Sequence, residues 1–250
     1  MLELKARIKN HLSHIETRNN LQANIKKLNN QILKQNEEVD KIYSMFYDTI
    51  VNMAIVKSKE TGLHLVRTKY YVDILLKKYM QIYKKNLNLD HVIENIAKAA
   101  TMHDIGKIGI PDNILMKPGK LTANEFEIMK QHTVIGYGLL NSEKISIDNE
   151  VLRYAKEIAY SHHERWDGAG YPEGLVGESI PFSARIMAIC DVYDALVSER
   201  IYKPAMNHED AVKIIYKESG HAFDPTLIDL FLNEQNTIQK IAKEYQDKLQ

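Results

Sequence analysis

The first sixty residues carry the hydrophobic pattern of a long helix. From residue 21 to residue 46 the apolar positions alternate in steps of four and three, as in a coiled-coil seam, and polar Gln35 interrupts the series. No glycine precedes Gly62 and no proline precedes Pro111, so helix-breaking residues are missing here. We therefore predict a coiled-coil helix over residues 1–45, most simply a parallel dimer, although a single amphipathic helix packed on its own domain is the alternative. The seam consists of Leu21, Ile25, Leu28, Ile32, Val39, Ile42 and Phe46.

Helical spacing continues through the rest of the chain. Apolar residues recur three and four positions apart in residues 70–83, 91–102 and 125–140. Thr122 and Glu125 have the spacing of a capping box, and Asp224 before Pro225 is typical of an N-cap followed by proline at the first helical position. No segment alternates with the period of a strand. The sequence thus predicts an all-α domain over residues 46–250.

A glycine-rich segment lies between two of these predicted helices. Residues 168–177 combine several glycines with Tyr171 and Pro172, and Pro181 follows shortly after. We interpret the segment as a long ordered loop. Long loops inside compact domains are often functional, which makes this one a candidate part of a site.

Composition narrows the range of partners. Lys plus Arg and Asp plus Glu number 33 each, so no overall field favours nucleic acid or an anionic membrane. The apolar runs are shorter than the roughly 20 residues of a membrane span. Cys190 is the only cysteine, which excludes an internal disulfide and is typical of a reducing compartment. We expect a cytoplasmic protein that binds neither DNA nor membrane, with Cys190 as a small core residue.

Histidines and carboxylates occur together at several places in the sequence. Imidazole and carboxylate ligands without thiolates suit iron, manganese or zinc better than calcium or magnesium. Eight such side chains exceed the need of one tetrahedral zinc ion, which favours a multinuclear site. Each of them alone could equally be a satisfied core or surface residue, the role that we assign to the other five histidines. The candidates are Glu60, His64, His103, Asp104, His132, His162, His163 and Asp191.

Four separated motifs strengthen this hypothesis. They are AATMHDIGKIGIPDNILMKPGKL at residues 99–121, MKQHTVIG, HHERWDGAGYP and ARIMAICDVYDALVSERIYK. In this order the motifs resemble those of an HD-GYP domain, and the resemblance runs from about residue 60 to about residue 232. It implies an HD-type helical bundle, a site of two or three divalent metal ions, most commonly iron or manganese, and hydrolysis of cyclic di-GMP to pGpG or GMP.

The resemblance also assigns roles to individual residues. It makes His103 and Asp104 the HD pair, with Asp104 bridging two metals, and it makes Glu60 the ligand of a third metal. Lys107 corresponds to a lysine near the scissile phosphate. The remaining metal ligands are His64, His132, His162, His163 and Asp191, and the substrate-binding residues are Arg200, Lys203 and Tyr171.

Two segments of the chain suggest partners. The segment LELKARIKNHL is similar to the last helix of a response-regulator receiver domain, so an upstream receiver or sensor is expected. The resemblance to HD-GYP domains also implies a surface for a diguanylate cyclase (GGDEF) partner at the loop with Gly170, Tyr171 and Pro172. Three other functions stay open: a receptor that binds the nucleotide without hydrolysing it, a hydrolase of another cyclic dinucleotide such as cyclic GMP-AMP, and an HD hydrolase of mononucleotides.

Overall fold

The described part of the chain is built from helices. The computed structural model describes residues 1–57, 59–84, 89–141, 149–199 and 205–247. Its α-helices are α1 (Leu2–Lys57), α2 (Lys59–Tyr83), α3 (Asp90–Ala100), α4 (Asp112–Leu115), α5 (Ala123–Leu140), α6 (Glu150–Ser161), α7 (Phe182–Val197), α8 (His208–Lys217) and α9 (Pro225–Asp247). Short 3-10 helices cover Ile105–Gly109 and Gly177–Ser179. The described residues form no strand, only two isolated bridges, so the predicted all-α fold is confirmed.

Helix α1 forms most of the first of two compact units. This unit comprises Met1–Ile50, and the second comprises Val51–Gln250. The helix runs without a break for 56 residues, as the lack of glycine and proline predicts. Its seam residues Leu21, Ile25, Leu28 and Ile32 are 49–59% exposed, so their apolar side chains are left uncovered by this chain. The long helix is confirmed, whereas its pairing as a coiled coil stays a prediction.

The second unit is a helical bundle with α7 at its centre. Helix α2 packs against α3, α7 and α9, and α6 packs against α3, α5 and α7. Helix α7 buries side chains all around its axis, including Ile186, Ile189, Cys190 and Tyr193. A helix that is apolar on every side is covered on every side. The prediction that Cys190 is a core residue is therefore confirmed.

Helix ends follow the signals in the sequence. The side chains of Thr122 and Glu125 each accept a hydrogen bond from the other residue's backbone N–H, which completes the predicted capping box of α5. The Asp224 carboxylate accepts from the Thr226 backbone N–H, and α9 begins at Pro225. Helix α3 ends at Ala100, two residues before its predicted end, because the backbone turns there toward His103.

A close backbone approach joins the segment after α3 to α5. Gly106 lies in the 3-10 helix Ile105–Gly109, which packs against α5 near Gly136. A Cβ atom at position 106 would lie 1.9 Å from the carbonyl oxygen of His132 and 2.4 Å from the backbone nitrogen of Gly136. Only glycine allows this contact. It brings the residues before Gly106 next to those of the middle of α5.

Among the described residues, no helix is long enough and apolar enough to cross a membrane.

Candidate metal centre

Six predicted ligands form two groups in the helical bundle. One group contains His132, His162 and His163, and the other contains His64, His103 and Asp104. Within each group the possible ligand atoms lie within 4.8 Å of one another. Helix α2 supplies His64, the turn after α3 supplies the HD pair, and α5 supplies His132. The other two histidines follow the end of α6 directly.

Hydrogen bonds at Nδ1 fix the orientation of four of these rings. Nδ1 of His103 lies 2.9 Å from the carbonyl oxygen of Ala100. Nδ1 of His132 and of His162 contacts the carbonyl three or four residues earlier in the same helix, at 2.7 and 2.9 Å. Nδ1 of His64 lies 2.8 Å from a carboxylate oxygen of Asp194. Carbonyl and carboxylate oxygens only accept hydrogen bonds, so Nδ1 of each ring carries the proton. The lone pair of Nε2 is then available to bind a metal ion.

The Nε2 atoms face one another in pairs. His64 Nε2 lies 3.2 Å from His103 Nε2, and His132 Nε2 lies 3.5 Å from His162 Nε2. With Nδ1 protonated in each neutral ring, these pairs would bring lone pairs together. A cation bound by both nitrogens removes this repulsion. The donor set therefore fits divalent metal ions that prefer imidazole and carboxylate ligands.

Asp104 lies between the two groups. Its Oδ2 atom is 3.2 Å from His103 Nε2 and accepts a hydrogen bond from the Lys107 ammonium. Its Oδ1 atom is 3.5 Å from His132 Nε2 and 3.9 Å from His162 Nε2. This oxygen is buried and has no hydrogen-bond partner, although buried polar atoms nearly always have one. A metal ion is the kind of partner that would satisfy it.

The pKa values of three histidines and of Asp104 suit metal ligands, whereas burial would lower the pKa of His103 but the Asp104 carboxylate raises it. Burial lowers the pKa of His162 to about 3 and lowers that of His132, so both rings are neutral near pH 7. Burial also lowers the pKa of His163. Burial alone would raise the pKa of Asp104, but the Lys107 ammonium and His103 hold it well below its usual range. Neutral imidazoles and an ionised carboxylate are the protonation states that bind metals.

Asp191 adds a second carboxylate on the His64 side. It follows the buried run of α7, and its Oδ1 atom lies 3.5 Å from His64 Nε2 and 3.9 Å from His103 Nε2. A carboxylate next to such a buried run is costly to bury without a cation. The distances place it where a cation held by the two histidines would also be within its reach.

A buried ion pair supports His64, and sequence reasoning missed it. Arg67 binds both carboxylate oxygens of Asp194 at 2.7 and 2.8 Å, and Tyr71 and Ser198 add further hydrogen bonds. Burial opposes ionisation, but Arg67 and His64 keep the pKa of Asp194 well below its usual range. An ionised Asp194 orients the His64 ring, as outer-shell carboxylates commonly do for metal-binding histidines. The available signal was spacing, since Arg67 follows His64 by three residues and Asp194 follows Asp191 by three.

The glycine-rich loop reaches the edge of the site. The Tyr171 ring stacks on His163 with ring centroids 4.9 Å apart, and the Lys130 ammonium lies 5.5 Å from the centre of the same ring. A Cβ atom at Gly170 would lie 2.3 Å from the Arg165 backbone nitrogen, so the loop needs glycine to fold back on itself. The predicted loop over residues 168–177 lies between α6 and α7, and the 3-10 helix Gly177–Ser179 begins at its last residue.

The structure brings together most of the predicted site residues. Lys107 contacts Asp104, and Tyr171 contacts His163, both at the site. Glu60 lies in α2 one turn before His64, but its side chain is outside the described part of the structure. Arg200 and Lys203 are also outside the described residues. The ligand and substrate-binding roles stay predictions. The predicted ligands that the structure assembles are His64, His103, Asp104, His132, His162, His163 and Asp191.

Comparisons with known proteins agree with the motifs. Residues 48–227 match the family model described as HD domain. A probable cyclic di-GMP phosphodiesterase of Vibrio cholerae serotype O1 is 42% identical over 248 residues, which cover 98% of this chain and 56% of that protein. A cyclic di-GMP phosphodiesterase of the same organism is 43% identical over 90% of this chain and 47% of its own length. A 3'3'-cGAMP-specific phosphodiesterase of that organism is 40% identical over 73% of this chain and 33% of its own.

These matches decide the family. The family model covers well over half of the chain and includes all seven assembled ligands. The chain spans about half the length of the first two relatives. The resemblance to HD-GYP domains is confirmed, and the chain belongs to the HD domain family.

Proposed function

We propose that this chain is the catalytic part of a cyclic-dinucleotide phosphodiesterase that hydrolyses cyclic di-GMP to pGpG, GMP or both. The observation that carries the proposal is the position of the Asp104 carboxylate, whose Oδ2 lies 3.2 Å from His103 Nε2 and whose unpartnered Oδ1 lies 3.5 Å from His132 Nε2. Two similar proteins are named for activity on cyclic di-GMP. The wider role is that of an output module in bacterial second-messenger signalling.

Two or three divalent metal ions, most commonly iron or manganese, complete the proposed site. His64, His103 and Asp191 would hold one ion, His132, His162 and His163 a second, and Asp104 would bridge them. Glu60 would belong to a third ion near His64. Bound there, the cations would act as Lewis acids toward the phosphate and would lower the pKa of a coordinated water.

The chain's own residues hold the substrate and move protons. In hydrolysis, water adds to phosphorus while the bond from phosphorus to the ribose 3' oxygen breaks. Lys107, partly exposed beside Asp104, is placed to donate a proton from Nζ to the leaving oxygen or a hydrogen bond to a phosphate oxygen. Arg200 and Lys203 are proposed to bind the phosphates, which matches the need to offset charge on the equatorial oxygens. Tyr171 provides an aromatic rim on which a guanine can stack.

The test is metal analysis and product chromatography on one sample. The protein is purified without oxygen from cells supplied with iron or manganese, its metal content per chain is measured, and cyclic di-GMP is added. We expect two or three metals per chain and the appearance of pGpG or GMP, with no product after chelation. A fully metal-loaded protein that binds cyclic di-GMP without cleaving it would instead be the receptor.

Cyclic GMP-AMP is the second candidate substrate. A relative at 40% identity is named for specificity toward 3'3'-cGAMP. Running both dinucleotides in the same assay separates the two activities by their kcat/KM ratio. Cleavage of cyclic GMP-AMP alone would replace the first proposal, while the metal centre would be unchanged.

Dimerisation through α1 is proposed as the way in which this output is controlled. The same proposal includes a domain boundary after residue 45. It also includes an upstream receiver or sensor and a GGDEF partner at the glycine-rich loop. Exposed apolar residues at coiled-coil spacing support the dimer.

Charges placed in the seam test the dimer. Replacing Ile25 and Leu28 with Asp should convert a dimer into a monomer in sedimentation experiments, because like charges would meet in an apolar seam. Asn30→Asp, two residues after Leu28 and outside the seam positions, is the control and should stay dimeric. A double variant that sediments as the wild type does would remove the seam from the proposal.

A further inference from the structure

A buried carboxylate fastens the second half of the glycine-rich loop. The side chain of Glu164 is buried, and it accepts three hydrogen bonds from backbone N–H groups. Oε1 accepts from Glu173 at 2.8 Å and from Gly174 at 3.2 Å, and Oε2 accepts from Leu175 at 3.0 Å. Hydrogen bonds to a charged group are stronger than neutral ones, so this carboxylate holds three consecutive residues in place.

Glu164 stands next to the candidate metal ligands. It follows His162 and His163 directly, and its own backbone N–H donates to the Ser161 carbonyl. The three residues that it binds come directly after Tyr171 and Pro172. Its carboxylate therefore closes the loop at the point where the loop returns to the end of α6.

Tyr171 is held near His163 by two further contacts. Its backbone N–H donates to the His163 carbonyl at 3.2 Å, and its ring stacks on the His163 imidazole. The absence of a side chain at Gly170 lets the loop pass within contact of the Glu164 backbone. Together with the carboxylate bonds, these contacts set the position of the Tyr171 ring at the edge of the site.

The first half of the loop has separate anchors. The Trp166 and Asp167 backbone N–H groups donate to the carbonyls of Ala222 and His221, before α9. Arg165 binds Asp167 and Glu218. The His162 ring is oriented by the Ile158 carbonyl within α6. Loss of the Glu164 carboxylate bonds should therefore release residues 171–175 and leave the ligand geometry in place.

We propose that Glu164 is a positioning residue that fixes Tyr171 against His163 and so controls substrate affinity rather than metal binding. The substrate part of this inference rests on the proposed function. Glu164 acts through the loop and does not contact the reacting atoms.

The experiment compares Glu164→Gln with Glu178→Gln in the full chain. The glutamine at position 164 keeps the size of the side chain. Its NH2 group would replace the oxygen that accepts from the Leu175 N–H, so two hydrogen-bond donors would face each other. Glu178 is exposed in the same loop, so its variant loses the same charge without touching these bonds. Metal content, kcat and KM for cyclic di-GMP are measured for both variants and the wild type.

Trp166 gives a readout that does not depend on activity. It is the only tryptophan, its carbonyl accepts from the Gly177 N–H, and a Cβ atom at Gly177 would lie 3.9 Å from its ring. Trp166 keeps its own anchors, but Gly177 lies two residues beyond this segment, so loosening residues 171–175 should move Gly177 away from the Trp166 ring and make the ring more accessible. Quenching of its fluorescence by acrylamide therefore reports the order of the loop in each variant.

For Glu164→Gln we expect unchanged metal content, stronger quenching and a KM raised about tenfold, the factor that corresponds to one lost hydrogen bond to a charged group. Its kcat should change less than its KM, and Glu178→Gln should match the wild type throughout. Unchanged quenching and KM, or a loss of metal, would overturn the inference. If the wild type leaves cyclic di-GMP intact, the proposed function fails, and quenching together with metal content then decides whether Glu164 holds the loop.

Discussion

Replacing Asp104 with Ala should lower both the metal content and the turnover rate. Asp104 is the one carboxylate within 4 Å of imidazole nitrogens from both groups of ligands that the structure describes. Without it, neighbouring cations would lose the anionic ligand that offsets their mutual repulsion. The other nearby ligands of the two groups are imidazoles, which carry no negative charge and cannot replace that of the carboxylate.

The measurement is metal content per chain together with the rate of product formation. Metal should fall by at least one ion per chain, and the rate should fall by about 10³-fold or more, comparable to the loss of a principal electrostatic contact in an active site. Asp112→Ala is the control, because Asp112 is an exposed carboxylate eight residues away. Full metal content and full rate in Asp104→Ala would refute the assignment of this residue.

Gly106→Ala should strongly destabilise the protein and weaken the metal centre. The added Cβ atom would overlap the His132 carbonyl and the Gly136 backbone, and backbone atoms cannot rotate away. Helix α5 would have to move, and His132 would move with it. Overpacking of this kind costs about 3 kcal/mol, so we expect a fall in Tm on the order of 10 °C.

Gly138→Ala is the matched control for this substitution. Gly138 lies in α5 as well, but a Cβ atom there would have nothing within 4 Å. Alanine in an exposed helical position is favoured over glycine by about 1 kcal/mol, so the control should melt at the same temperature or higher. Equal melting of Gly106→Ala and the wild type would contradict the close approach between the two segments.

The helices were predictable because their signals are local. Spacing of apolar residues, the Thr122 capping box and the proline after Asp224 each act within a few residues, and the structure has all of them. The predicted ligands came from motifs rather than from spacing alone. Nothing in the local pattern around His64 says that it meets His103, 39 residues away, because that contact depends on how α2 packs.

The partners of buried charges were less predictable. Arg67 looks in sequence like one more solvated cation on an amphipathic helix, yet it is 2% exposed and paired with Asp194 across 127 residues. Glu164 reads as part of a motif, and the sequence does not indicate that its carboxylate binds backbone rather than metal. Both roles depend on tertiary contacts that a single sequence does not specify.

The hydrogen bonds at Nδ1 have a consequence for how the protein responds to metal supply. Hydrogen bonds to backbone carbonyls and to Asp194 already orient four imidazoles. Binding of a metal ion would therefore cost little side-chain conformational entropy. We therefore expect the proposed site to release and regain ions without refolding of the helical bundle. Metal occupancy would then be a reversible readout of metal supply.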